Sequence, residues 1–122
     1  MHQLQFQIRH LSGVNIVRLT GTIEPTSYPT LQAALHKLVS EGTPKIALEC
    51  YDLNYISSAE LKQLLDFANY ARASGGDVKC IGLAPTVQHV ANLVANGDPF
   101  DCYDDLTYAL AAFRRLRPSS KN

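Results

Sequence analysis

The sequence carries no excess of charge of either sign. Eleven Lys and Arg side chains balance eleven Asp and Glu side chains, so the formal net charge is zero. Domains that bind nucleic acid usually carry a basic face, and basic segments hold proteins on anionic membranes, so we expect neither partner. No apolar run approaches the length of a membrane span, and residues 1–9 lack the apolar core of a signal peptide. These absences predict a cytoplasmic protein without direct membrane insertion.

Cysteine and histidine are sparse and lack the spacing of ligand sets. The three cysteines, Cys50, Cys80 and Cys102, are odd in number and far apart, which leaves no zinc or redox motif. The four histidines show no ligand spacing either. Gly75-Gly76 follows a helical pattern instead of opening one, which indicates a helix end and not a phosphate-binding loop. We therefore expect no metal, no cofactor and no enzyme, since no base or activated nucleophile can be assembled.

What is present indicates a globular α/β protein. Hydrophobic residues make up 46% of the 122 positions, which predicts a single domain with one core. We place this domain at residues 1–117 and a disordered tail at residues 118–122. Period-2 and period-3.6 patterns alternate along the chain and predict a mixed sheet of four to five strands flanked by about four helices. The predicted strands cover residues 4–9, 14–19, 45–50, 78–83 and 100–103; the predicted helices cover residues 27–42, 58–75, 85–97 and 104–117.

Two serines lie where a buried strand passes into a helix. Ser57 and Glu60 match a capping box, in which a serine caps the helix and a glutamate three residues later supports it. Ser58 would then be the first helical residue, with a hydroxyl free to face solvent. Because the first N–H groups of a helix favour negative charge, a phosphate on Ser58 would be stabilised there. The alternative is that both serines serve only to start the helix.

Four further side chains could form a binding rim around these serines. Glu24 follows the second strand, and right-handed crossovers would bring the loops before the helices to one edge of the sheet. Tyr28 and Tyr55 could flank that edge as partner anchors, although half-buried tyrosines are equally ordinary. Glu60, if it folds back as a capping partner, would lie near Ser58. Its carboxylate would then repel an added phosphate or already supply a constant negative charge.

These residues fall within a pattern that resembles the STAS domain, and within that family the bacterial anti-sigma factor antagonists. The resemblance spans roughly residues 14–113. Arg18–Glu24 resembles the family's "R-L-x-G-x-L-D" strand end, and Ser57–Leu61 falls on its hallmark "D-S-S-G-L"; residues 46–56, 75–78 and 84–87 also resemble the family pattern. Among the positions that depart from the hallmark, Ser57 replaces the aspartate and Glu60 replaces the glycine. The glutamate side chain blocks the close backbone approach that a glycine allows.

The resemblance implies a mixed sheet flanked by helices in a small cytoplasmic protein that binds an anti-sigma factor of the serine-kinase type. It implies that Ser58 is phosphorylated and that the phosphorylated form releases the kinase, which can then hold its sigma factor. Glu24 matches the acidic residue that helps to form the same surface. We therefore expect a partner-switching regulator, with Ser58 as phosphoacceptor, Ser57 as its orienting cap, and Glu24 and Glu60 on the docking rim.

Two other functions stay open. In the first, the domain is a constitutive STAS scaffold in a signalling or transport complex and Ser58 is never modified, a version that Glu60 favours. In the second, the same sheet edge senses a small ligand or nucleotide, although no phosphate-binding glycine loop supports this.

Overall fold

The computed structural model describes residues 3–95 and 100–114, which form one five-stranded sheet flanked by four helices. In chain order the elements are β1 (Gln5–Leu11), β2 (Val14–Ile23), α1 (Tyr28–Ser40), β3 (Lys45–Ile56), α2 (Ser58–Ala73), β4 (Asp77–Ile81), α3 (Pro85–Val94), β5 (Asp101–Tyr103) and α4 (Leu106–Arg114). Strand β1 runs antiparallel to β2, and each later pair of neighbouring strands is parallel, in the order β1-β2-β3-β4-β5. The α/β fold with a mixed sheet, predicted from the sequence, is confirmed.

The sheet separates two layers of core. Ile46 and Leu48 on β3 pack with residues of α1, α2 and α3, whereas Ala47 between them packs with residues of α4. Successive residues of a strand point to opposite faces, so a strand covered on both sides is apolar throughout. Cys50 and Cys80 are buried in the first layer, where they act as small apolar side chains.

Two strands run farther than the side-chain pattern predicted. Strand β2 was expected to end at Leu19 and ends at Ile23, and β3 was expected to end at Cys50 and ends at Ile56. Their parallel pairing continues to Ile23 opposite Ile56, with two register shifts on the way. Backbone ladder bonds do not need an apolar alternation, so the polar residues of this extension simply lie in the ladder. As a result, one residue separates β3 from α2.

The helix ends follow glycine signals. Helix α1 ends at Ser40 and α2 ends at Ala73, and Gly42 and Gly75 follow them with φ angles of 87° and 94°. Glycine adopts this left-handed conformation without steric cost, which terminates the helix. The predicted end of the third helix at residues 96–97, the arginines at 115 and 117, and the tail at 118–122 lie outside the described residues.

Four charged side chains meet where β4 and β5 begin. Asp77 accepts hydrogen bonds from Arg72 Nε at 2.8 Å and from Lys79 Nζ at 3.0 Å, and Lys79 Nζ also donates to Asp101 at 2.9 Å. Asp77 and Lys79 are buried, Arg72 is half-buried and Asp101 is exposed. This network joins the C-terminal end of α2 to the sheet.

Candidate functional site

The loops after β2 and β3 meet at one edge of the sheet. Ile23 and Ile56, the last residues of these parallel strands, are register partners. The backbone N–H of Ser57 lies 3.4 Å from the carbonyl oxygen of Ile23, which joins the two loops directly. The carboxyl ends of parallel strands are where open α/β sheets bind their ligands. Glu24 and Ser57, each one residue beyond its strand, therefore share this edge.

Ser57 caps α2, as the sequence predicts. Its backbone is extended (φ −73°, ψ 157°), and its Oγ accepts a hydrogen bond of 3.3 Å from the backbone N–H of Glu60. In the usual capping box the glutamate reaches back to the backbone N–H of the cap residue. Here the Ser57 hydroxyl donates to Glu60 Oε1 instead, because the Ser57 N–H is directed to Ile23. The serine hydroxyl and the glutamate are therefore joined by two hydrogen bonds.

Glu60 does not lie on the binding rim, as was expected from the sequence, but is buried. The residue is 3% exposed, so its carboxylate is turned inward and offers no surface to a partner. A buried carboxylate needs compensation, and this one has the Ser57 hydroxyl and the positive end of α2, whose first turn it occupies. The inward orientation follows from the contact with Ser57.

Ser58 is the first residue of α2 and is exposed, in agreement with the expected helix start. No hydrogen bond joins its hydroxyl to another residue within the described part of the chain. Ala59 beside it is exposed as well, and Tyr55, three residues before Ser58, is 54% exposed. The structure thus presents one unengaged hydroxyl and one aromatic side chain to solvent at this edge.

Glu24 lies in a loop held by its own side chains. The Thr22 hydroxyl lies 3.2 Å from Glu24 Oε2, and the Glu24 backbone N–H donates to Ser27 Oγ at 2.9 Å. The Ser27 hydroxyl lies 3.2 Å from the Thr22 carbonyl oxygen. Ser27 directly precedes α1, but its side chain makes no capping bond to the helix and ties the loop together instead. Serine within such turns commonly bonds to nearby backbone, which was the available signal.

Tyr28 is buried, which corrects its expected place on the rim. It is 2% exposed, and burial raises the pKa of its hydroxyl to about 12, with the charges of Asp66 and Glu60 adding to the effect. The hydroxyl has no hydrogen-bond partner among the described residues. Tyr28 lies three residues before Leu31 and seven before Leu35, so it continues the apolar stripe of α1 into the core. That spacing was visible in the sequence.

Two grooves beside α1 were not predicted from the sequence. Each has a volume of about 320 Å³. In the first, between α1 and α2, the ring of His36 lies 5.0 Å from that of Phe67 and 5.1 Å from that of Tyr70. The second lies beside the candidate site and is lined in part by Phe6, Glu24 and Thr26. Their polar and aromatic residues come from segments distant in sequence, so no local pattern identified them.

Two properties of the described residues bear on the class of site. Among residues 3–95 and 100–114, no His, Cys, Asp and Glu side chains gather in threes with a geometry suited to a metal ion. No helix in those ranges has both the length and the apolar character needed to cross a membrane.

Comparison with known proteins identifies the family. The family model of the STAS domain matches residues 5–109. This chain belongs to the STAS domain family. BtrV of Bordetella bronchiseptica, a candidate anti-sigma factor antagonist, is 29% identical to it over 108 residues, which cover 88% of this chain and 93% of BtrV.

Solved STAS structures share the fold. An anti-sigma factor antagonist from Mycobacterium paratuberculosis aligns with a TM-score of 0.78 at 21% identity, over 92% of this chain and 95% of that one. The anti-sigma factor antagonist SpoIIAA in its unphosphorylated form aligns with a TM-score of 0.70 at 19% identity, over 90% of this chain and 96% of its own. The phosphorylated form of SpoIIAA, from Bacillus, gives 0.67 at 18% identity, with 93% and 100% covered. At these identities the likeness establishes the fold.

Proposed function

We propose that this STAS protein is an anti-sigma factor antagonist that binds a serine-kinase-like anti-sigma factor and is released from it by phosphorylation of Ser58. The observation that carries the proposal is the exposed, unengaged hydroxyl of Ser58 at the first position of α2. The relatives support it, because BtrV is a candidate anti-sigma factor antagonist and SpoIIAA exists in unphosphorylated and phosphorylated forms. The protein would act in the cytoplasm, by binding and not by catalysis.

The helix start explains how a phosphate could switch binding without unfolding the protein. A phosphoserine carries nearly two negative charges, and at a helix N-terminus the free backbone N–H groups stabilise it. The same charge on an exposed docking surface would disrupt a complex through repulsion and the cost of desolvation. We therefore expect phosphorylation to act on the interface and to leave the fold intact.

The docking surface would consist of Glu24, Tyr55, Ser57 and Ser58. Glu24 is half-buried and held by its loop, so it is already ordered before a partner arrives. Tyr55 is exposed and offers a large, rigid contact. Glu60 and Tyr28 are buried, so they would stabilise this surface by packing beneath it and would not contact a partner themselves.

Affinity capture with three forms of the protein tests the proposal. Wild type, Ser58→Glu and Gln63→Glu are each immobilised and exposed to lysate of the native host, and captured proteins are identified by mass spectrometry. Gln63 is exposed on the same helix, so Gln63→Glu adds one negative charge away from the helix start. We expect wild type and Gln63→Glu to capture a serine-kinase-like protein that Ser58→Glu loses. Capture of the same proteins by all three baits would contradict the switch.

A constitutive scaffold is the second candidate, and Glu60 is the observation that favours it. Its buried carboxylate already places a negative charge in the first turn of α2, where the family hallmark has glycine. In that case a defined complex would form whose composition and affinity ignore every substitution of Ser58.

A further inference from the structure

We propose that Glu60 is a specificity-determining residue that restricts phosphorylation to Ser58 by occupying the hydroxyl of the neighbouring Ser57. The inference rests on the proposed function, since it concerns which serine the partner kinase modifies. Ser57 and Ser58 are adjacent at the start of α2, so a kinase that reaches one hydroxyl comes close to the other. The contacts of the two hydroxyls differ completely.

The Ser57 hydroxyl is engaged in both directions. Its oxygen accepts the backbone N–H of Glu60 at 3.3 Å, and its proton is donated to Glu60 Oε1. Ser57 is also half-buried, and its backbone is bonded to Ile23. In a kinase reaction the serine oxygen forms a bond to the γ-phosphorus of ATP, the bond between that phosphorus and the bridging oxygen of the departing ADP breaks, and the hydroxyl proton passes to a base of the kinase. For Ser57 this requires loss of both hydrogen bonds to Glu60 before the oxygen can reach the phosphorus.

The product on Ser57 would be unfavourable as well. A phosphate on that oxygen would lie within hydrogen-bond reach of the Glu60 carboxylate, which is 3% exposed. Like charges in a poorly solvated place repel strongly, and neither could move apart without disrupting the first turn of α2. Ser58 avoids this conflict because its hydroxyl is exposed and the Glu60 side chain is directed to Ser57 and the interior.

The departures from the family hallmark at Ser57 and Glu60 form one contact. The hallmark carries an aspartate at the position of Ser57, which offers no hydroxyl, and a glycine at the position of Glu60. This chain has a hydroxyl at the cap position and, three residues later, the carboxylate that engages it, whereas Ala59 stands where the hallmark has its second serine. Glu60 accordingly compensates for the serine at the cap position.

The test maps the phosphorylated residue in Glu60 variants. Wild type, Glu60→Gly and Glu60→Gln are incubated with ATP and native-host lysate as the source of kinase, and the phosphate is located by tandem mass spectrometry. Hydrogen bonds to a charged group are stronger than neutral ones, so freeing Ser57 should raise its phosphate relative to Ser58 by about tenfold or more in Glu60→Gly. Glu60→Gln keeps the size and loses the charge, so it should give a smaller rise. Ser57→Ala combined with Glu60→Gly should return all phosphate to Ser58.

Each outcome decides between the two proposals. Phosphate that stays exclusively on Ser58 in folded Glu60→Gly and Glu60→Gln overturns the role of Glu60 and leaves the proposed function standing. Phosphate on neither serine in wild type overturns the proposed function and this inference with it. Thermal melting of each variant confirms that it is folded, and the conservative Glu60→Gln keeps the test valid if the glycine variant unfolds.

Discussion

The two ends of α2 treat charge in opposite ways. At its C-terminal end, Arg72 joins Asp77, Lys79 and Asp101 in a network where each charge faces an opposite one within 3.0 Å. At its N-terminal end, the one buried carboxylate is satisfied by a serine hydroxyl, and the residue beside that serine, Ser58, is exposed and unengaged. The charges at the C-terminal end are all paired, and they hold the helix on the sheet. The other end leaves one hydroxyl exposed to solvent.

Lys79 belongs to the charged network at the C-terminal end of α2. Its side chain is 4% exposed, and burial lowers its pKa, but hydrogen bonds with Asp101 and Asp77 outweigh this and the pKa is raised overall. The ammonium group also lies 5.2 Å from the ring centre of Phe113 on α4. The lysine therefore stays charged and connects both helix layers to β4. Such a group serves the fold, whereas the exposed hydroxyl of Ser58 holds no other part of the described chain in place.

The largest expected effect is a loss of stability on substitution in the charged network at the C-terminal end of α2. Lys79→Met should lower the free energy of unfolding by about 3–5 kcal/mol, because it leaves the buried Asp77 with less compensation. The matched control is Lys62→Met, since Lys62 forms an exposed pair with Asp66 at 3.7 Å and its loss should cost about 0.5 kcal/mol or less. Urea unfolding of both variants measures the difference. Equal costs would show that the network is not a structural anchor.

The burial of Tyr28 should make the free energy of unfolding fall at alkaline pH. The pKa of its hydroxyl is about 12 in the folded protein and 10.0 in its ordinary state. Above the lower value the unfolded chain loses the proton and the folded chain keeps it, so stability falls as pH rises from 10 to 12. The loss should reach roughly 2–3 kcal/mol, and Tyr28→Phe should remove it.

The alkaline measurement compares wild type with the phenylalanine variant, so groups common to both cancel. Unfolding free energies at pH 9, 10 and 11 give two curves that should diverge as pH rises. Parallel curves would place the Tyr28 hydroxyl in solvent and return this residue to the binding rim.

Substitution of Tyr55 should act on binding and not on stability. Tyr55→Ala should weaken the partner complex by about 2 kcal/mol, or roughly thirtyfold, if this tyrosine is an interface anchor. Tyr108, 64% exposed on α4 on the other face of the sheet, gives the control variant Tyr108→Ala with unchanged affinity. Both variants should unfold within about 0.5 kcal/mol of wild type. Equal affinities for the two variants would remove Tyr55 from the docking surface.

The smallest expected effect distinguishes the two serines. Ser57→Ala should cost about 1 kcal/mol of stability because the helix loses its cap. Ser58→Ala should be within about 0.5 kcal/mol of wild type, since the hydroxyl of this exposed residue makes no hydrogen bond in the described part of the chain. Thermal unfolding of the two variants under one condition is sufficient. Equal destabilisation would mean that Ser58 has a structural role that the site geometry does not include.

Residue patterns predicted the fold and located the helix start at Ser58. They did not predict the length of β3, because beyond Cys50 the pattern turns polar while the backbone ladder with β2 continues to Ile56. They placed Tyr28 on the surface although its spacing to Leu31 belongs to the buried stripe.

The orientation of the Glu60 side chain could not be predicted from the sequence for a different reason. Its capping role follows from local sequence, but the inward direction of the carboxylate depends on where the Ser57 backbone N–H is bonded, which is a contact between two loops. Contacts of that kind arise only when β2 and β3 are paired, so no pattern around residues 57–60 contains them.

The most direct test of the account is the affinity of one captured kinase partner for two forms of the same protein. Unphosphorylated protein and protein phosphorylated at Ser58 are titrated against that partner by calorimetry, after thermal melting shows that both forms are folded. We expect the phosphorylated form to bind about a hundredfold more weakly, a difference of about 3 kcal/mol. Equal dissociation constants would contradict the switch and leave this STAS domain as a constitutive scaffold.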